Sequence, residues 1–309
     1  MILKPANVEE LQRALVDASA ARSRIEQVDL SSLGRVVEYR PEDMTVTVEA
    51  GALLSDLQAH LKQSGQWLPI DPPFPEQTTI GRLLCENLSG PRRFGYGTIR
   101  DYLIGLSAVL ADGRLVKGGG KVVKNVAGYD LQKLFVGSHG SLGVIVGATF
   151  KVLPLPATER ILQFECKSPD HSASMIQQIL SRPMTPAVLD LQNVTGVCTL
   201  VVAFAGTADE VDWQIAESKR LGISEGATLD YNRSFWAAQP LPFRRSVLPS
   251  KLSEVLKELG DVQFVARAGN GTIYYRGGTR TAPSRVPMEL TKRLKATFDP
   301  NGIFPELPL

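Results

Sequence analysis

The residues best suited to chemistry lie between positions 117 and 150, in KGGGKVVKNVAGYDLQKLFVGSHGSLGVIVGATF. Glycines stand at 118, 119, 120, 128, 137, 140, 143 and 147, with Lys124, Asn125, Tyr129 and Asp130 at the centre. Glycine costs backbone entropy, so a chain keeps it where the backbone must take a positive φ or come close to something. This density suits a backbone moulded around a ligand. It also suits tight turns between short strands, and spacing alone leaves both open. A second candidate is Thr78, Thr79, Ile80 and Gly81, ahead of a short apolar helix. Free N–H groups and the dipole at a helix start attract phosphate; the plain alternative is a threonine N-cap. Histidine, the commonest general base, occurs only at positions 60, 139 and 171. Cys85, Cys166 and Cys198 form no CxxC, so they imply no disulfide framework and no iron–sulfur or zinc ligands.

These residues need a scaffold. A length of 309 residues suggests about two domains. A hydrophobic content of 43% and a charged content of 21% are those of a soluble globular chain. A net charge of +2 gives no electrostatic case for nucleic acid. The N-terminus lacks a signal-peptide pattern, and no run approaches the ~18 apolar residues of a membrane span. With the scattered cysteines, this points to the cytoplasm.

Asn7 and Glu10 form a capping-box-like start to a first helix. Strands are expected over 36–39 and 45–49, a helix over 53–63, an extended proline loop over 69–75 and a helix over 83–88. Asp112-Gly113 between apolar runs marks a hairpin, joining strands over 104–110 and 114–117. A further strand is expected over 144–153. Composition changes at Leu153-Pro154-Leu155-Pro156, a candidate boundary. Strands and helices mixed over 161–268 then suggest an α+β sheet packed on helices. A last helix over 286–298 ends in FDPNGIF.

Taken in order, VDLSSLGRVVEYRPEDMTVTVEAG, GQWLPIDPP, TTIGRLLCENLSG, the ADGR hairpin, KNVAGYDLQKLFVGSHGSLGVI and the terminal FDPNGIF resemble the vanillyl-alcohol-oxidase/PCMH-type FAD-binding family. KNVAGYD and SGPRR are most similar to the FAD-binding subunit of bacterial glycolate oxidase. The resemblance covers most of 5–155 and the last helix. It implies an α+β fold. A PCMH-type FAD-binding domain of two α+β subdomains spans 1–155, with 286–309 packing back on it. A smaller α+β cap domain with an antiparallel sheet spans 156–285. It places Pro72, Pro73, Thr78, Thr79, Ile80 and Gly81 beside the flavin and its pyrophosphate, and Asn87, Gly90 and Gly97 in the next loop. It places Gly137, Ser138, Gly140, Leu142, Gly143, Val144 and Ile145 against the adenine and ribose. Lys124 is positioned to neutralise a phosphate or a flavin charge, with a solvated loop lysine as the alternative.

The family's RGGGT/S loop has no counterpart here, since no glycine precedes Gly34. Arg82 stands where a second glycine is usual. Two or three charge-assisted hydrogen bonds from such a loop would contribute roughly 3–9 kcal/mol. FAD is therefore expected to be more weakly held, and noncovalent because no histidine or cysteine stands where the family's covalent link would be made; a flavin-free structural subunit of the same fold is the alternative. For oxidation of a 2-hydroxy acid, a carboxylate clamp and a base are needed. Arg245, Arg276 and Tyr274 are the catalytic candidates, with ordinary surface arginines as the alternative, and no metal site is expected. No histidine lies beyond 171. The resemblance therefore implies an auxiliary subunit that works with a catalytic flavoprotein subunit and an iron–sulfur subunit on glycolate or a similar small acid. It further implies a cytoplasmic complex held peripherally at the inner membrane through those partners. A self-sufficient FAD-dependent alcohol oxidoreductase is the remaining alternative.

Overall fold

The computed structural model describes residues 1–120, 130–278 and 288–307. It is an α+β protein built on two antiparallel sheets that share no strand. The first has five strands in the order Val36–Arg40, Thr45–Glu49, Val144–Lys151, Leu103–Val109 and Leu115–Gly119. The alternating TVTVE of the second strand fits its central place, with Val46 and Val48 turned into the core. Leu54, Leu57 and Leu61 on the helix Leu54–Lys62 cover that core from one side. The predicted hairpin forms at Asp112 and Gly113, where Gly113 has φ +80°. The strand after it runs two residues further than the sequence pattern suggests, so Gly118 and Gly119 pair with Leu106 and Gly105. A Cβ on Gly119 would lie 2.1 Å from the Ile104 carbonyl, so close strand packing sets that glycine.

The second sheet has seven strands in the order Ser224–Glu225, Thr158–Glu165, Thr199–Gly206, Val188–Gln192, Gln263–Arg267, Thr272–Arg276 and Phe243–Ser246. Its apolar face packs under the helices Pro169–Leu180, Ala208–Arg220 and Leu252–Leu259. Each starts on a recognisable signal. Ser168 accepts from the His171 N–H, Thr207 and Glu210 form a capping box, and Pro249 opens the turn before the third. The helix Asp230–Ala237 is not foreshadowed by the sequence pattern. It lacks a side-chain cap, and it is held by Phe235, Asn232 and their tertiary partners.

The last helix, Met288–Phe298, returns to the first unit, where the Phe298 ring meets Phe135 edge-on at 5.9 Å. FDPNGIF is a turn around the buried Asp299, whose carboxylate accepts from the Ile303 and Phe304 N–H groups and from Lys295 Nζ. Ile303 and Phe304 join Leu11 and Leu15 of the first helix in a small separate core.

Candidate functional site

A cleft of about 420 Å³ opens in the first unit, within the range of small-molecule sites. Three sequence-distant segments form it. The helix Ile80–Cys85 contributes Gly81, Arg82 and Cys85, with Thr79 at its start. The turn before the strand Val144–Lys151 contributes His139, Gly140, Gly143, Val144 and Ile145. The third wall, 25–31, comes straight from the first helix through a turn at Arg22, which has φ +49°. That wall is fixed by the Ile25 N–H donating to the Ile303 carbonyl at 2.8 Å. It can approach the sheet because Gly51 has no side chain: a Cβ there would sit 1.8 Å from the Leu30 carbonyl oxygen. Phe304 and Pro305 close the cleft from the C-terminal side.

Of the residues picked out in the sequence, Thr79, Gly81, Gly140, Gly143, Val144 and Ile145 line this cleft. Gly140, at φ +76°, has nothing within 4 Å of where a Cβ would be. Pro72, Pro73, Thr78, Ile80, Asn87, Gly90, Gly97, Gly137, Ser138 and Leu142 lie outside it. For several of these the structure supplies another reason. A Cβ on Gly90 would meet the Asp71 carbonyl oxygen at 1.7 Å, and one on Gly97 the Asp101 carboxylate at 2.7 Å. The buried hydroxyls of Thr78 and Ser138 donate to the Phe74 and Phe135 carbonyls, not outward. Ile80 and Leu142 are core residues. Lys124 lies outside the described residues.

The helix start at Thr79 departs from the phosphate-site expectation. The Ile80 N–H donates to the Ala52 carbonyl at 2.9 Å, and the Gly81 N–H to the Ala50 carbonyl at 2.7 Å. The Arg82 N–H donates to Thr79 Oγ1 at 3.2 Å. These amides serve the fold, and Arg82 itself pairs with Glu86 at 2.9 Å. At this helix start the first three amides therefore offer no free N–H to a phosphate. Cys85, which the sequence reading did not assign to the site, is also no nucleophile, because burial pushes its thiol up to about 11.

A second polar cluster joins the two sheets. Arg92, in the SGPRR segment, donates to Asp71 at 2.9 Å and grips Glu159 with two bonds, at 2.9 and 2.5 Å. Burial works against the Arg92 guanidinium, and the two carboxylates outweigh it, so its pKa is raised. Asp71 is pushed up to about 6 by burial, with Arg92 and then Arg267 opposing the shift.

Behind it, on the seven-stranded sheet, Arg267 is 2% exposed and ion-paired with Asp190. Its other nitrogen donates to Asn232 Oδ1 at 2.5 Å, and the Tyr231 hydroxyl donates to Asp190 Oδ2 at 2.6 Å. Burial raises the Asp190 carboxyl even against Arg267, and it raises the Tyr231 phenol well above its usual range. Asp190, Tyr231, Asn232 and Asp71 all escaped the sequence reading. The one available signal was Asp190 itself, a lone carboxylate in the apolar strand VLDLQ.

Of the catalytic candidates, Arg245 is ion-paired, whereas Arg276 keeps one buried guanidinium nitrogen, Nη1, without a hydrogen-bond partner. Arg276 is 7% exposed, and its guanidinium donates to the carbonyls of Phe235, Ala238 and Pro240. It closes the C-terminal end of the helix Asp230–Ala237, so it is a buried arginine in place of the surface one anticipated. Arg245 pairs with Glu258 at 2.8 Å. Tyr274 packs edge-on against Trp236, with ring centroids 5.0 Å apart. Among the described residues no group of histidines, cysteines and carboxylates has metal-binding geometry, and no helix is long and apolar enough to cross a membrane.

Comparison with known proteins now has a geometry to attach to. Residues 20–119 match the model of a FAD binding domain. The glycolate oxidase subunit GlcE of Escherichia coli (strain K12) is 40% identical over 306 aligned residues, covering 87% of this chain and 83% of that protein. The glycolate oxidase subunit GlcD of Bacillus subtilis (strain 168) is 38% identical over 158 residues. That match takes in 51% of this chain but only 34% of GlcD, so the chain spans about a third of that protein's length. In fold, the chain superposes on alkyldihydroxyacetonephosphate synthase with a TM-score of 0.75, covering 98% of this chain and 75% of that one at 19% identity.

Proposed function

The chain belongs to the FAD-binding flavoprotein family of glycolate oxidase subunit GlcE, and from that premise we propose that it is an auxiliary FAD-type subunit of a complex oxidising glycolate or another 2-hydroxy acid. The observation that carries the auxiliary role is the pairing of Arg267 with Asp190. A carboxylate substrate needs a free cation, and this central arginine already holds an internal carboxylate and Asn232. Arg245 pairs with Glu258, Arg276 is buried against three backbone carbonyls, and no histidine follows position 171 to act as base. The catalytic step then falls to a separate flavoprotein subunit, with an iron–sulfur subunit carrying electrons onward, in a cytoplasmic complex held at the inner membrane through those partners.

In this reading, residues 1–155 together with 286–309 form the flavin unit and 156–285 a cap. FAD, when bound, supplies a two-electron acceptor. The chain's own residues bind and orient it. Gly140 and Gly143 let the backbone approach the adenosine, Ala50 and Ile145 give apolar walls, and Thr79 has a hydroxyl proton to offer an anionic oxygen. In this reading attachment is noncovalent. A flavin-free structural subunit is the second reading, favoured by the helix-start amides already bonded to Ala50 and Ala52.

Purified chain, assayed with glycolate and D-lactate against a dye acceptor, is expected to show no turnover, with turnover appearing once the catalytic subunit is added. Turnover by the chain unaided would overturn the auxiliary reading. A visible spectrum recorded with and without added FAD separates the two readings: a flavin band that stays with the protein through gel filtration excludes the flavin-free one.

A further inference from the structure

We propose that Cys166 and Cys198 form a redox modification site, a cross-strand dithiol that a hydroperoxide converts to an intrachain disulfide. The site lies on the seven-stranded sheet and is independent of the flavin reading. The antiparallel pairing of Thr158–Glu165 with Thr199–Gly206 ends at Glu165 opposite Thr199. One step further the Cys166 N–H donates to the Cys198 carbonyl at 2.8 Å, so the two cysteines face each other directly. Opposed residues in such a ladder have Cα atoms about 4.5–5.5 Å apart, inside the roughly 4.4–6.8 Å range that a disulfide needs. Both are free thiols.

Their surroundings divide the roles. Cys166 is buried at 6% exposure against the sheet core, whereas Cys198 is half-buried at the end of the exposed turn 195–197. A small oxidant reaches Cys198 first. The neighbouring Cys166 thiol holds the Cys198 thiol below its usual range, and the same contact raises Cys166. The thiolate is the reactive form, and Cys198 is the more accessible of the two sulfurs.

The chemistry closes. The Cys198 thiolate attacks one oxygen of the hydroperoxide, the O–O bond breaks, and the departing oxide takes up a proton. This leaves a sulfenic acid at Cys198. Cys166 Sγ then attacks the Cys198 sulfur, the S–S bond forms, and the sulfenic oxygen leaves as water with the Cys166 proton. Two thiols are oxidised and one peroxide is reduced. Cys85 is the internal control. It lines the first-unit cleft, its thiol is raised to about 11 by burial, and it faces no second cysteine.

The test uses the full chain, fully reduced and then exposed to stoichiometric hydrogen peroxide, with remaining thiols alkylated under denaturing conditions. Mass spectrometry is expected to show the loss of two hydrogens, free thiols falling from three to one, and a single peptide pair joined through Cys166 and Cys198. Dithiothreitol should reverse all three changes. In Cys166→Ser, the reaction should stop at a Cys198 sulfenic acid that dimedone traps. In Cys198→Ser, thiol loss at Cys166 should become much slower. Three surviving thiols, conversion of Cys198 to sulfinic acid while Cys166 stays free, or cross-links between chains in place of the internal one would each overturn the proposal.

Discussion

On the five-stranded unit, Gly140 and Thr79 face a cleft of about 420 Å³; on the seven-stranded sheet, Asp190, Arg267, Tyr231 and Asn232 face one another. The first arrangement leaves backbone and hydroxyl groups open to a ligand. The second encloses its charge and uses it for folding. Burying an ion pair costs desolvation that mutual attraction repays only with good geometry and further hydrogen bonds, which Tyr231 and Asn232 supply. One unit of this protein carries an open cleft, and the sheet of the other has turned Arg267 inward.

The sharpest way to break that contrast is to open the sealed side. Arg267→Met leaves Asp190 buried without its partner and should cost about 3–5 kcal/mol in denaturant unfolding. The double substitution Arg267→Met with Asp190→Leu should recover most of that loss. In a reconstituted complex it should leave turnover unchanged; a collapse of turnover in the folded double variant would place Arg267 in the chemistry.

The link between the two units comes next. Burial pushes the Asp71 carboxyl up to about 6 in the folded state, against about 3.9 in an unfolded chain. Between those values the folded state holds a proton that the unfolded chain has released, so stability falls as pH rises through this window. The contribution is about 1–3 kcal/mol, after allowing for the partial exposure of the pair. Asp71→Asn should flatten this part of the pH–stability profile measured by urea unfolding; an unchanged slope would assign it to other groups.

On the open side, Gly140→Ala puts a side chain at φ +76° and into the cleft. The strain should cost about 1–2 kcal/mol, and FAD affinity read by fluorescence titration should fall about tenfold. Equal affinity would move the flavin elsewhere. The smallest effect is expected at Arg245, whose exposed partner is Glu258. Arg245→Ala should change stability by less than about 1 kcal/mol and leave the activity of the assembled complex alone.

Much of the cleft was legible because glycine and capping chemistry are local. Gly140 and Gly143 need conformations or clearances that few other residues tolerate, and the Thr79 N-cap announces its helix. The sequence reading located the turn over 137–145, where Gly140, Gly143, Val144 and Ile145 line the cleft and Gly137, Ser138 and Leu142 do not. A buried serine bonded to its own chain and a serine aimed at a phosphate look alike in one dimension. Ser138 proved to be the former. The same ambiguity affected Gly90, which is a glycine because Asp71 crosses it.

Residue order alone settled the periodic strands, the Asp112-Gly113 hairpin, the apolar faces of the helices and the absence of late histidines, since each depends on neighbours a few positions away. Only the tertiary structure decided what the charges do. Arg267 meets Asp190 across 77 positions, and Arg92 meets Glu159 across 67. Whether an arginine is a free clamp or a buried counter-ion is set by which distant carboxylate the fold brings to it and by how much water is left between them.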